Sequence, residues 1–197
     1  MTPVAAPRRT IILVRHGRSA LRVPRWVSGD ALHGTARRYE EAGIRRTPPP
    51  SRELRRHASA AAMLACSHTR RAIESARRLD HTREPLTDPV FREAGLPLRA
   101  PVAVPLSFDA WIVIGRIAWF LGWSADAESF STARRRAAKA VRRLTQLAKQ
   151  HGSVLLVGHG VFNALIAVEL RRRGWRGPLW NPAAAHWTYA RYSKRVA

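Results

Sequence analysis

Apolar positions along the chain follow two spacings. At 10–15, "TIILVR", β-branched and aliphatic residues follow one another without alternation, the pattern of a strand buried on both faces. The stretch 154–160, "VLLVGHG", has the same character, and 62–68, "AMLACSH", is a third strand of the same kind. After the third strand the period becomes helical: in "TRRAIESARRL" Ala72, Ile73, Ala76 and Leu79 share a face. A long helix is expected over 126–151, with Ser124 as cap, Asp126 and Glu128 in its first turn and Gly152 as its stop. Its buried stripe is Phe130, Ala133, Ala137, Val141, Leu144 and Ala148. "VFNALIAVELRRRG" reads as a further helix closed by Gly174, and "HWTYARY" at 186–192 alternates as a last strand. Strands alternating with helices predict an α/β fold, a three-layer sandwich whose mostly parallel central sheet is flanked by helices. In such sheets ligands bind at the carboxyl ends of the strands.

Two stretches stand outside this alternation. Residues 22–56, rich in Pro, Gly and Arg, read as a loop with short helical pieces, and together with 97–124 they are expected to border a pocket. Within the second, "WIVIGRIAWFLGW" at 111–123 is apolar all round apart from Arg116 and predicts a buried or pocket-covering helix. An interfacial membrane helix is the lesser reading there, because a strongly polar face is missing. Trp26, Trp111, Trp119 and Trp123 either wall an apolar pocket or fill core.

With 197 residues and 46% hydrophobic content the chain is expected to form one domain over 1–197. No uninterrupted apolar run reaches the ~18 residues of a membrane span, and "MTPVAAPRRTIILVRHG" lacks the layout of a signal peptide. The expectation is a cytoplasmic protein. Cys66 is the sole cysteine, which excludes an internal disulfide and a cysteine-rich zinc site.

A formal net charge of +22 changes the picture in one respect only: it favours phosphate-bearing partners, whether nucleic acid, acidic lipid or small metabolites, without choosing among them. Lys139, Lys149 and Lys194 are the only lysines, so the charge is nearly all arginine, as a coding bias toward arginine would also produce. "RRRAAKAVRR" at 134–143 lies within the helical pattern and reads as a solvated face rather than a nucleic-acid arm.

The candidate chemistry lies at the strand ends. "RHG" at 15–17, "CSHTRR" at 66–71 and "GHG" at 158–160 converge there, bringing together His16, His159, Arg15 and Arg71. A guanidinium's planar fork donates bidentate hydrogen bonds to phosphate oxygens, and a neutral imidazole can attack phosphorus in line. Gly17 and Gly160 permit close backbone approach and open a helix or turn whose amides favour an anion.

"LVRHG", "SHTRRAIESA" and "LLVGHG", in that order, resemble the histidine phosphatase superfamily, its phosphoglycerate-mutase-like branch, over residues 10 to about 165. The marks are Arg-His-Gly after the first strand, a segment of the form S-x-x-x-R-A-x-x-[ST]-A, and a late Gly-His. The resemblance implies that His16 is a nucleophile that takes a phosphoryl group and passes it to water. It implies that Arg15 and Arg71 bind phosphate and that His159 contacts the phosphoryl oxygens. Glu93 in "FREAGLP" falls where the family has its proton donor, and a raised pKa is expected of it. No cofactor and no metal is implied. Ser67 and His68 either line the leaving-group side or are strand-end turn residues; Arg18 and Ser19 are candidate phosphate contacts.

The chain departs from the family in ways that bear on substrate. Arg18, Ser19, Ala20 and Leu21 stand where many members continue with Glu-Thr and an asparagine, and "EAGLP" differs from the tyrosine-containing segment of phosphoglycerate mutases. The expected function is metal-independent hydrolysis of a phosphomonoester, on a small phosphorylated metabolite or a phosphoprotein. The rivals are a phosphomutase of the same superfamily, a phosphohistidine-directed protein phosphatase, and a non-catalytic phosphate- or polyanion-binding protein.

Overall fold

The computed structural model describes residues 8–97, 104–178 and 185–196. Five strands, β1 (Arg8–Arg15), β2 (Met63–Cys66), β3 (Leu86–Thr87), β4 (Ser153–Gly158) and β5 (Tyr189–Arg195), form one sheet in the order β3-β2-β4-β1-β5. β1, β2, β3 and β4 run parallel, and β5 lies antiparallel along β1. The helices are α1 (Gly29–Glu41), α2 (Arg52–Ala60), α3 (Arg70–Leu79), α4 (Phe108–Phe120), α5 (Phe130–His151) and α6 (Gly160–Arg172), with a 3-10 turn at Pro89–Phe91.

The unbroken apolar runs exist because helices cover both sheet faces. Ile11, Leu13, Val154 and Leu156 point into one core with Ala137, Val141 and Leu144 of α5 and Phe162 and Ile166 of α6. Ile12, Val14, Leu155 and Val157 point the other way, against Leu54 and Ala58 of α2 and Ala72, Ala76 and Leu79 of α3. Burying each large aliphatic side chain contributes about 1.5–3 kcal/mol, so the central strands β1 and β4 hold the layers together. Among the described residues, no helix is long and apolar enough to cross a membrane.

Several boundaries differ from expectation. α5 starts at Phe130 with Ser129 as its cap, not after Ser124: Ala125 takes a positive φ of 44°, and a turn bonds Ala127 N–H to the Ser124 carbonyl. That turn directs Glu128 inward to Arg136. The last strand begins at Tyr189 because Trp187, with φ 64°, turns the chain just before it. Residues 22–56 hold the whole of α1 and the first half of α2, each with a serine cap, Ser28 and Ser51. α4 is buried on one side only: Trp111 and Trp119 are enclosed, their indole N–H groups donating to the carbonyls of Val27 and Glu128, while Val113, Ile114, Ile117 and Phe120 are exposed. Trp26 and Trp123 are also exposed, so two of the four tryptophans fill core and two face outward. Of the expected pocket-bordering stretch 97–124, residues 98–103 lie outside the described residues.

Candidate active site

β1 and β4 are paired in register, Arg15 opposite Gly158, so the residues that follow them leave the sheet side by side. His16 N–H donates to the Gly158 carbonyl at 3.0 Å, and Ser67 N–H to the Val157 carbonyl at 3.1 Å. The rings of His16 and His159 meet edge to face, 5.1 Å between centroids, and both residues are buried. Asn163, in the first turn of α6, ties this edge together: its Nδ2 donates to the Val14 carbonyl at 3.0 Å. A Cβ at Gly158 would sit 2.4 Å from Asn163 Oδ1, so only glycine fits at that strand end. Gly17 is held in the same way. A Cβ there would sit 2.5 Å from the Trp187 indole, and its N–H donates to Ser75 Oγ at 2.9 Å. Ser75 in turn donates to the Arg71 carbonyl at 2.6 Å, linking the His16 turn to α3.

The His16 tautomer follows from geometry. Nδ1 lies 2.7 Å from the Gly17 carbonyl, an acceptor only, so Nδ1 carries the hydrogen and Nε2 keeps its lone pair. Burial, reinforced by His159, Arg71 and Arg15, holds the His16 pKa well below the ordinary histidine value. Burial, followed by Arg71, Arg15, His68 and Arg136, does the same to His159. Both imidazoles are therefore neutral at physiological pH. His159 Nε2 lies 3.3 Å from Thr69 Oγ1, while its buried Nδ1 has no hydrogen-bond partner among the described residues.

Arg71 is buried, and its ionisation is pushed below the usual guanidinium range first by that burial. Its Nη1 donates to the Tyr39 and Glu40 carbonyls near the C-terminus of α1, and its guanidinium stacks 4.6 Å from the Tyr39 ring. Among the described residues, its Nε has no hydrogen-bond partner. α1, from the stretch expected to border a pocket, thus seats one side of Arg71.

Glu93 Oε1 accepts from Phe162 N–H and Ala94 N–H, both at 2.9 Å, at the start of α6. Among the described residues, both of these hydrogen bonds fall on Oε1 and none on Oε2. Two arginines hold the segment around it. Arg116 donates to the Gly95 carbonyl at 3.0 Å and Arg136 to the carbonyls of Val90, Arg92 and Glu93 at 2.9, 2.8 and 3.1 Å. Arg136 is anchored in return by a two-pronged contact with Glu128, at 2.8 and 2.6 Å, and stacks 3.8 Å from the Phe162 ring. Arg136 is therefore not part of a solvated face as "RRRAAKAVRR" suggested; at 8% exposure it is buried. The helical period could have located it, because Arg136 lies three positions after Ala133 of the buried stripe.

A cleft of about 1090 Å³ adjoins this cluster, with Arg15 and His186 on its lining. His186 carries no signal in the sequence, yet its ring lies 5.6 Å from that of His16. Burial, then Arg15, Arg18 and Arg71, lowers its pKa to about 4. Arg18 and Ser19 line the cleft as well. Ser67 does not: it is fully buried, and its Oγ accepts from Thr69 N–H in the turn leading to α3. His68 is exposed and lies outside that lining. Gly160 opens α6 directly after His159. Among the described residues, no group of three or more His, Cys, Asp or Glu side chains is arranged to hold a metal ion.

The model of the histidine phosphatase superfamily (branch 1) matches residues 11–195. The chain belongs to this superfamily. Solved structures agree on the fold. A mycobacterial glucosyl-3-phosphoglycerate phosphatase complexed with VO3 is 19% identical, with a TM-score of 0.57 over 93% of this chain and 92% of that one. A second protein, "Mycobacterial hydrolase 1", is 20% identical with a TM-score of 0.60 over 94% and 92%. An Entamoeba histolytica phosphoserine phosphatase, a histidine-to-alanine variant bound to phosphoserine, is 11% identical with a TM-score of 0.55 over 95% of both chains. No curated protein sequence matches the chain. Superfamily membership makes the strand-end histidines and arginines the place to look for chemistry, and the site departs from a bare two-histidine arrangement by the addition of His186.

Proposed function

We propose that this histidine phosphatase superfamily member is a metal-independent phosphomonoester hydrolase working through a phosphohistidine on His16, with a small phosphorylated molecule as substrate. The observation that carries the reading is the Nδ1 hydrogen bond of His16 to the Gly17 carbonyl, which leaves a neutral, buried imidazole with its Nε2 lone pair beside two arginines and a second histidine.

In the first step Nε2 forms a bond to phosphorus as the bond from phosphorus to the leaving oxygen breaks, and Glu93 Oε2 gives that oxygen its proton. Arg15 and Arg71 neutralise the charge on the three peripheral oxygens and the neutral His159 donates a hydrogen bond to them, the main requirement of phosphoryl transfer. In the second step water attacks phosphorus and Glu93 takes a proton from it. The N–P bond breaks with its electron pair returning to Nε2, and inorganic phosphate leaves.

Purified protein is expected to hydrolyse p-nitrophenyl phosphate in the presence of chelator, to be inhibited by vanadate, and to lose at least about 10³-fold in kcat on His16→Ala. Undiminished turnover by His16→Ala would overturn the nucleophile assignment. Transfer of the group to a second hydroxyl rather than to water, read by product analysis with a bisphosphate primer, would make the protein a mutase instead.

A further inference from the structure

Charge in the cleft exceeds what one phosphoryl group can balance. Beyond Arg15 at its inner end, the cleft is lined by Arg18, Arg22, Arg25 and Arg45, faced by a single carboxylate, Asp109. Among the described residues, none of these four arginines forms an ion pair with a carboxylate. The transferred group already has Arg15 and Arg71, so four guanidiniums against one carboxylate remain for the rest of the substrate.

These arginines are carried on a built rim. Ser19 pairs with Ile44 in an antiparallel bridge, Arg45 N–H donates to the Arg18 carbonyl at 2.8 Å, and Arg45 Nε to the Ser19 carbonyl at 3.1 Å. Glu74 Oε2 accepts from Ile44 N–H at 2.8 Å and fixes this ladder to α3, the helix that carries Arg71. On the far side a Val27–Leu106 bridge and the Trp111 indole bond to the Val27 carbonyl hold the loop that follows Arg25. Phe108 and Ile112 of α4 add an apolar wall. At about 1090 Å³ the cleft is as large as the roomiest small-molecule sites, which run from about 300 to 1,000 Å³.

We infer that this cleft is a leaving-group subsite for a second acid, so that the substrate is a phosphomonoester carrying a further anionic group, carboxylate or phosphate, held by Arg18, Arg22, Arg25 and Arg45. The inference rests on the phosphatase reading for the orientation of the substrate. Guanidiniums suit the role because their planar fork grips either acid with paired hydrogen bonds.

The test uses three matched probes: propanol phosphate, phospho-oxypropanoate and propanediol bisphosphate. Dissociation constants are measured on His16→Ala protein, which does not depend on turnover, and kcat/KM on the native enzyme. The two acidic probes are expected to bind about tenfold or more tightly than propanol phosphate at low salt, a preference that shrinks as salt rises. Which of the two binds better identifies the acid. Arg18→Gln with Arg22→Gln should bring the ratio to within about twofold, whereas Arg52→Gln with Arg55→Gln, the same charge removed from α2 outside the cleft, should leave it in place. Equal binding of all three probes, or equal loss of preference in both double variants, would overturn the subsite. Hydrolysis of p-nitrophenyl phosphate without any acid preference would do so while leaving the phosphatase reading intact. Acid-selective binding by a protein that hydrolyses no phosphomonoester would keep an anion subsite and remove the phosphatase reading.

Discussion

In the proposed mechanism His16 and Glu93 divide the chemistry: one carbonyl fixes the tautomer of the nucleophile, and two amides occupy one oxygen of the acid. The division predicts how substitutions depend on the leaving group. Glu93→Gln is expected to cost about 10² to 10⁴ in kcat for an alkyl phosphate and far less for p-nitrophenyl phosphate, whose leaving oxygen needs no proton. It should also abolish the basic limb of the pH–rate profile; an unchanged limb would show that another group donates the proton. On the acidic side, burial and the neighbouring cations keep His16 neutral, so kcat/KM for the free enzyme should not show a limb at the usual histidine value of 6.5. The residues of this scale that patterning revealed are those flanked by strand signals. His186 and Asn163 were not legible, because each reaches the site by tertiary packing, His186 from the C-terminal approach to β5 and Asn163 across the β1 end; Ser75 stood at the Ser/Thr position of the "SHTRRAIESA" motif, but its bond to the Gly17 amide was not legible there.

Among the elements, the Glu93 segment is held almost wholly by arginine. Arg136 of α5 and Arg116 of α4 saturate its carbonyls, and the Arg136–Glu128 pair is buried on both sides. Breaking such a pair from one side leaves an uncompensated buried charge, so Arg136→Met is expected to destabilise the fold by about 3–5 kcal/mol, read by chemical denaturation. In the folded fraction kcat should fall more for alkyl phosphates than for p-nitrophenyl phosphate, since the positioning of the acid is what is lost. An equal fall for both would make Arg136 structural only. The strand runs and helical stripes of α3, α5 and α6 were readable because burial on one or both faces imposes a period. The start of α5 was not, because Ser124 and Ser129 are equally good caps in isolation and the buried Glu128 decides between them. The helices α1 and α2 were obscured by Pro and Arg content, yet each has its serine cap in the sequence.

Across the whole molecule, two histidines are neutralised by burial at the same sheet edge. Their folded pKa values lie below the unfolded value near 6.5, so the unfolded chain binds more protons and stability falls as pH drops through and below 6.5. Tm is expected to decline between pH 7 and pH 5, each histidine contributing up to about 1.4 kcal/mol per pH unit, with vanadate opposing the decline. His16→Gln should flatten this slope; an unaltered slope would show that other groups carry it. The α/β layering was legible in outline, because alternating strand and helix periods leave few topologies, while β3 and α2 were not foreseen. The meaning of the +22 charge was not, since composition cannot distinguish arginines gathered on one cleft from arginines spread over a surface.

The most direct measurement is capture of the intermediate: brief reaction of the native protein with a radiolabelled phosphomonoester, alkaline quench, and mass-spectrometric mapping of the label. The account predicts an acid-labile, alkali-stable phosphoryl group on the peptide containing His16, absent in His16→Ala and longer-lived in Glu93→Gln. Turnover with no label at His16, or with the label on another residue, would contradict it.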